Sequence, residues 1–200
     1  MKVALTTLGC KLNYAETSTY ERGFVAHGLE VVPWSAAADV YVINTCAVTE
    51  TAEKKSRNLM RRAHKANPDA LVVVTGCYAE LKKEKLYDIE GVSRVFGAAE
   101  KSLVVSETLS MLSSRTDSFA SLGMTKDCHP EEVKDRRRDL FETLPAYSSG
   151  ERTRSFLKVQ DGCNNFCAYC TVPFARGRSR NIPICELVKQ AEQIAAKGIR

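Results

Sequence analysis

The sequence contains no hydrophobic run approaching the roughly 18 apolar residues that a membrane-spanning helix requires, although 44% of its 200 residues are hydrophobic. This argues against a helical membrane protein. It also lacks the start of a signal peptide. Met1-Lys2 leads directly into Val3-Ala4-Leu5, and Gly9-Cys10-Lys11 cuts the apolar stretch short, so the chain is expected to stay in the cytoplasm. There is no G-x-G-x-x-G and no P-loop pattern, which removes the common phosphate-cradling motifs and leaves the glycines beside cysteines as places of close backbone approach. Histidine is scarce, with three residues, which limits imidazole-rich metal sites. Strong charge of one sign is absent as well. A net charge of +5 and a pI near 8.8 are compatible with a polyanionic partner such as RNA but do not identify one.

What the sequence does have is eight cysteines. In a secreted protein these would suggest disulfides, whereas in a reducing cytosol closely spaced cysteines more often bind metal. Cys163-Asn164-Asn165-Phe166-Cys167-Ala168-Tyr169-Cys170 places three thiols in one short loop. Soft thiolates at this density suit iron–sulfur clusters or zinc. Three ligands leave one metal without a protein donor, and in a four-iron cubane that open iron can take a small chelating molecule. A Cys₃His zinc knuckle is the plainer alternative, but His129 lies far upstream and no histidine is nearby.

The first hundred residues alternate short β-branched runs with longer amphipathic ones, the pattern of a doubly wound α/β domain with a parallel sheet. Strands are predicted at Lys2–Thr7, Asp39–Asn44 and Leu71–Thr75. A weaker one at Ser93–Phe96 is followed by Gly97 and a helix through about Leu112. After Thr45-Cys46 a helix is expected with Val48, Ala52, Leu59 and Ala63 on one face and Lys54, Arg57, Arg61 and Lys65 on the other; Asn67-Pro68-Asp69 stops it. Periodicity is then lost in a segment that mixes serine with charge runs such as Lys134-Asp135-Arg136-Arg137-Arg138. The expected organisation is an α/β domain over 1–112, a linker over 113–150 and the start of a second domain over 151–200. In that second unit Arg154–Val159 reads as a strand entering the cysteine loop, and Leu187, Ala191, Ile194 and Ala195 form a helical stripe. One βα unit cannot close its own sheet, so the second domain is expected to be incomplete and to continue past Arg200.

A second constellation lies in the first domain. Cys10, Cys46 and Cys77 each sit just past a predicted strand, one βα repeat apart. The C-terminal ends of parallel strands line one edge of a sheet, where α/β folds bind ligands, so three thiols there can converge on one metal centre. The competing reading is three ordinary buried cysteines. Asn13, Asn44 and Thr75 are placed to orient the ligands. Arg176, Arg178 and Arg180, at alternate positions, would share one side of an extended segment and meet RNA phosphate or a substrate carboxylate, or else remain solvated. The basic face Lys54-Arg57-Arg61-Lys65 poses the same choice between RNA contact and an exposed helix face. Cys128 and Cys185 fit no motif.

The C-x₃-C-x₂-C spacing with Tyr169 before the last cysteine resembles the motif of radical S-adenosylmethionine enzymes. Both triplets together, with Gly9-Cys10-Lys11-Leu12-Asn13, Asn44-Thr45-Cys46-Ala47-Val48, Thr75-Gly76-Cys77-Tyr78-Ala79 and Gln160-Asp161-Gly162-Cys163, resemble the methylthiotransferase family. The resemblance implies a partial (β/α) barrel beginning at Arg154–Val159, with a [4Fe–4S] cluster and S-adenosylmethionine on Cys163, Cys167 and Cys170. It implies a second, auxiliary [4Fe–4S] cluster on Cys10, Cys46 and Cys77. The activity implied is insertion of a methylthio group at C2 of a modified adenosine at position 37 of tRNA, using an electron donor such as flavodoxin or ferredoxin. The start at Gly9, the run Lys158-Val159-Gln160-Asp161-Gly162 and Ala175-Arg176-Gly177-Arg178 look most like the branch acting on N6-threonylcarbamoyladenosine. The isopentenyladenosine branch and a ribosomal-protein branch are the alternatives, and the isolated chain is expected to be inactive.

Two readings from other classes compete with this one. The first is a non-catalytic scaffold that stores a cluster or zinc on its thiols. The second is a flavodoxin-like nucleotide-binding module, which would usually show hydroxyls and glycines where this chain has strand-end thiols.

Overall fold

In a computed structural model of the chain, the structure describes residues 1–47, 49–117, 144–148 and 154–198. The first unit runs β1 (Lys2–Thr7), α1 (Lys11–Ala26), β2 (Glu30–Val31), β3 (Val40–Thr45), α2 (Glu50–Ala66), β4 (Leu71–Gly76), α3 (Cys77–Leu81), α4 (Lys83–Tyr87) and β5 (Val92–Val95). A 3₁₀ turn (Ala98–Leu103) then leads into α5 (Val104–Asp117). All five strands join one parallel sheet in the order β2-β1-β3-β4-β5.

Both faces of that sheet are covered, which explains why the central strands read as unbroken apolar runs. Every residue of β3 and β4 is buried. On one face Val40, Val42, Leu71 and Val73 pack with Tyr20 and Phe24 of α1 and with Val104 and Leu112 of α5. On the other, Tyr41, Ile43, Val72 and Val74 pack with Met60 and Ala63 of α2 and with Tyr78 and Leu86. Each such large side chain removed from water contributes about 1.5–3 kcal/mol. The expected doubly wound arrangement is what forms.

Local chemistry sets the helix limits. The Thr49 side chain caps α2 by accepting from the Ala52 N–H at 3.1 Å, and Glu50 and Glu53 lie in its first turn, where the helix dipole favours negative charge. The buried face of α2 is Ser56, Met60 and Ala63, with Leu59 half-buried. Helix α1 carries no clear apolar stripe, because four of its seven buried residues are the polar Asn13, Glu16, Thr17 and Ser18. Helix α5 continues through Asp117, past the Leu112 boundary expected from periodicity. Cys128, Val48 and the charge run 134–138 lie outside the described residues.

The second unit departs from expectation at its start. Arg154–Val159 is not a regular strand. It makes a single antiparallel bridge, Tyr147 with Leu157, flanked by Ser148 N–H to Phe156 O (2.9 Å) and Lys158 N–H to Ala146 O (2.8 Å). The ladder proper is two residues, β6 (Gln160–Asp161), antiparallel to β7 (Arg180–Asn181). A strand exists only against a neighbour, and among the described residues the neighbours of this run are antiparallel and short. Helices α6 (Val172–Arg176) and α7 (Ile184–Ala196) complete the unit. The 154–158 run lies along α1, with Phe156 edge-on to Tyr14 at 6.4 Å. Among the described residues no helix is long and apolar enough to cross a membrane.

Candidate metal centre

Strand register places the first cysteine triplet. Thr7 pairs with Asn44 and Asn44 with Thr75, and Thr45 pairs with Gly76, so Cys46 and Cys77 leave β3 and β4 side by side. Cys10 follows β1 after Leu8 and Gly9, as the N-cap of α1. Two glycines allow the strand ends to close up. Gly9 has φ +115°, and a Cβ there would stand 2.8 Å from Cys46 Cβ and 3.1 Å from its sulfur; Gly76 has φ +101°, where a Cβ would run into the Thr45 carbonyl. All three cysteines are free, with Cys46 and Cys77 buried and Cys10 exposed.

Asn13, one turn into α1, holds this edge together. Its Nδ2 donates to Leu8 O (3.2 Å), Thr45 O (2.9 Å) and Asn44 Oδ1 (3.1 Å), so it grips the chain just before Cys10 and Cys46. Its Oδ1 accepts from the Cys10 thiol at 3.3 Å. Asn44 answers with Nδ2 to Asn13 O (3.0 Å) and to Thr17 Oγ1 (3.2 Å). Thr75 acts through its backbone, its carbonyl accepting from Thr45 Oγ1 at 2.6 Å.

The second triplet sits on the loop between β6 and α6. Gly162 has φ +76°, and a Cβ there would collide with the Arg178 carbonyl, so only glycine lets the chain turn into Cys163. The Cys163 N–H donates to Gly177 O (3.1 Å), the Cys170 N–H to Cys167 O (2.9 Å), and the Ser179 N–H to Asn164 Oδ1 (3.0 Å). Phe166 takes a left-handed φ of 45° between Cys163 and Cys167, and its ring meets Phe174 edge-on at 6.5 Å. Cys167 is exposed, Cys163 and Cys170 are half-buried, and Tyr169 beside them is 90% exposed.

Between the two triplets lies a group of buried charges that sequence reading did not foresee. Glu16 of α1 is fully buried, and its carboxylate receives Lys101 Nζ (3.0 and 3.1 Å), Lys158 Nζ (2.9 Å) and Arg176 Nη1 (3.4 Å). Asp161 takes Lys158 Nζ at 2.7 Å and Arg176 Nη1 at 2.9 Å. Arg176 Nη2 donates to Asn13 Oδ1 at 2.5 Å, the same oxygen that the Cys10 thiol reaches. Burial alone would raise the Glu16 pKa, but Lys101, Lys158 and Arg176 overcome it and bring it down to about 2. Burial opposes ionisation of Asp161 too, and Lys101, Lys158 and Arg176 hold it well below the ordinary range. The Arg176 guanidinium, whose charge burial disfavours, is instead held more firmly protonated by Glu16. Burial pushes the Cys77 thiol up, against the pull of Arg176.

Arg176, Arg178 and Arg180 do not form one face. Arg176 ends α6 and is 4% exposed, whereas Gly177 then turns with φ +75° and leaves Arg178 exposed. Arg180 folds back to donate to Arg178 O (3.0 Å) and Arg176 O (2.9 Å). The segment is a helix end followed by a glycine turn, so alternation does not hold. On α2, Lys54, Arg61 and Lys65 are exposed, while Arg57 donates to the Tyr78 hydroxyl at 2.8 Å and faces Glu53 at 3.7 Å. Cys185 is exposed in the first turn of α7.

The sequence-predicted ligands therefore fall into two places: Cys10, Cys46 and Cys77 on one sheet edge, and Cys163, Cys167 and Cys170 on one loop. Helix α3, which Cys77 opens, packs against α6, which follows Cys170, and Ala175 joins the core of Tyr78 and Ala79. Among the described residues no three His, Cys, Asp or Glu side chains are gathered closely enough to hold a single metal ion. The donor chemistry, three thiols with no carboxylate or imidazole completing them, fits a multi-iron cluster better than zinc.

Residues 2–97 match the family described as Uncharacterized protein family UPF0004. The chain is 38% identical over 200 residues to threonylcarbamoyladenosine tRNA methylthiotransferase MtaB of Aquifex aeolicus, covering 100% of this chain and 46% of that protein. It is 38% identical over 198 residues to the Bacillus subtilis protein of the same name, covering 99% and 42%. To a tRNA-2-methylthio-N(6)-dimethylallyladenosine synthase of Chloroherpeton thalassium it is 29% identical over 206 residues, covering 100% and 42%. The chain thus spans less than half the length of these curated relatives. Among solved structures it resembles the radical S-adenosylmethionine methyltransferase TsrM of Kitasatospora setae, with a TM-score of 0.58 and 16% identity, covering 99% of this chain and 46% of that one. That likeness concerns the fold. Over residues 2–97 the chain is thus similar to the UPF0004 family, and over its whole length it is similar to curated tRNA methylthiotransferases.

Proposed function

We propose that the chain is part of a cytoplasmic tRNA methylthiotransferase that modifies C2 of N6-threonylcarbamoyladenosine at position 37, with the division into 1–112, 113–150 and 151–200 expected from sequence. The observation that carries it is that α3, which Cys77 opens, packs against α6, which follows Cys170. Two threonylcarbamoyladenosine relatives at 38% identity, against 29% for the dimethylallyladenosine one, favour that branch.

In this reading Cys163, Cys167 and Cys170 hold one [4Fe–4S] cluster and Cys10, Cys46 and Cys77 the other, each leaving an iron open for a small ligand. Such clusters, with S-adenosylmethionine bound at the first, supply one-electron cleavage of a sulfonium bond and a carbon radical able to take hydrogen from an unactivated carbon. The residues of this chain contribute placement. Gly9 and Gly76 bring the strand ends together, Asn13 fixes the Cys10 and Cys46 backbones, and Gly162 turns the chain into Cys163. Cys46 and Cys77 of the first triplet are buried, and Cys10 is its exposed member. Exposure of Cys167, Tyr169 and Phe174 leaves the second open to a ligand. The exposed Lys54, Arg61 and Lys65 of α2 offer contacts to tRNA phosphate, and a flavodoxin or ferredoxin donates the electron.

The test is spectroscopic. In the anaerobically reconstituted, reduced chain, S-adenosylmethionine should change the electron paramagnetic resonance spectrum, and Cys163/Cys167/Cys170→Ala should abolish that change. A spectrum indifferent to S-adenosylmethionine in the wild-type chain refutes the radical-enzyme reading.

A further inference from the structure

Five ionisable side chains are shut away from solvent where the two units meet. Glu16 and Lys101 come from the sheet domain, and Lys158, Asp161 and Arg176 from the cysteine-loop unit. None is more than 5% exposed. Three are cations and two are anions, so one positive charge stands without an anion inside the group. Water does not reach it, and a buried ion without a counterpart costs several kcal/mol. A fold that keeps such an excess has something negative beside it.

What lies beside it is the first cysteine triplet. Arg176 donates to Asn13 Oδ1, the oxygen that the Cys10 thiol also reaches. Through Nδ2 the same Asn13 grips the carbonyls of Leu8 and Thr45, which lead into Cys10 and Cys46. Cys77 opens the helix that packs on the one Arg176 ends. One guanidinium from the second unit thus stands at the junction of all three thiol positions in the first.

We infer that Arg176 is a positioning residue for the first triplet, reaching across from the cysteine-loop unit to supply the positive charge that balances an anionic thiolate-ligated centre on Cys10, Cys46 and Cys77. The inference rests on the reading of that triplet as a cluster site. The negative charge of three thiolates outweighs the positive charge of the oxidised iron–sulfide core they bind, so the centre is anionic and becomes more so on reduction. A fixed cation in dry surroundings favours the more negative, reduced form, and cluster potentials follow local net charge. Docking of the second unit therefore sets the redox behaviour of a centre held by the first.

The experiment uses the full chain carrying Cys163→Ala, Cys167→Ala and Cys170→Ala, so that only the first triplet can take iron. It is reconstituted anaerobically with ferrous iron and sulfide, and folding is followed by Trp34 emission. Iron per chain and the midpoint potential, from a redox titration followed by electron paramagnetic resonance, are then compared. Arg176→Gln should lower the midpoint, and Arg176→Lys should leave it at the parent value. Lys101→Gln, which removes a cation of the same group, should lower it less, and it carries the test if Arg176→Gln does not fold. A merely structural role would change iron content without this dependence on charge. A parent midpoint in whichever charge-removing variant folds, or an equal fall in Arg176→Lys and Arg176→Gln, overturns the inference while the cluster reading stands. A parent chain that binds no iron overturns the cluster reading itself.

Discussion

Replacing Glu16 by Gln removes one negative charge from a site where three cations converge within 3.4 Å. The shape of the side chain is kept, so the loss is electrostatic. Lys101, Lys158 and Arg176 would then face Asp161 as their one remaining carboxylate in the group. Breaking a buried ion pair from one side costs roughly 3–5 kcal/mol. Taking about 4 kcal/mol, the unfolding equilibrium constant rises about a thousandfold. With a denaturant slope of about 2 kcal/mol per molar, the urea midpoint falls by about 2 M. Trp34, the single tryptophan, packs edge-on to Tyr41 at 5.2 Å and reports the transition by fluorescence. Glu16→Gln combined with Lys101→Met should lose less than the sum of the two single changes, because the second removes a cation the first has stranded. A loss below about 1 kcal/mol for Glu16→Gln, or strict additivity in the pair, would refute the account of the junction as a coupled set of charges.

The same carboxylate sets a pH dependence. Its pKa falls from 4.5 unfolded to about 2 folded, so its stabilisation is complete above about pH 4.5 and is lost as pH falls toward 2. Asp161, also held low, acts in the same direction, so acid unfolding monitored by circular dichroism should set in between those values in wild type and be blunted in Glu16→Gln. Gly76→Ala forces a side chain into a positive-φ position against the Thr45 carbonyl and should destabilise the sheet edge by more than about 1 kcal/mol in urea unfolding. Gly28→Ala, at a positive φ with nothing within 4 Å, should cost less; equal losses would show that crowding at the strand ends does not matter.

Much of the sheet was legible because β3 and β4 are covered on both faces, and Val40–Ile43 and Leu71–Val74 are therefore uniformly apolar. The edge strand β2 has only two residues, both exposed, and leaves no such pattern. Helix α1 was hidden for a different reason. Asn13, Glu16 and Thr17 are buried with hydrogen bonds and ion pairs, and the polar Ser18 is buried beside them, so its inward face does not look apolar. The cysteines announced themselves by spacing and by their place after strands. Their supporting charges did not, since Glu16, Lys101, Lys158 and Arg176 are far apart in sequence and look like ordinary surface residues until the chain folds. Alternation misled at Arg176-Gly177-Arg178-Ser179-Arg180, where a helix end and a positive-φ glycine replace the extended backbone it assumes.

The most direct test of two thiol-held clusters is iron and sulfide content of the anaerobically reconstituted chain, measured for wild type, for Cys163/Cys167/Cys170→Ala and for Cys10/Cys46/Cys77→Ala. With four irons per cluster, about eight irons per wild-type chain should fall to about four in each triple variant. Zinc in place of iron, or an iron content that neither triple substitution changes, would contradict the account.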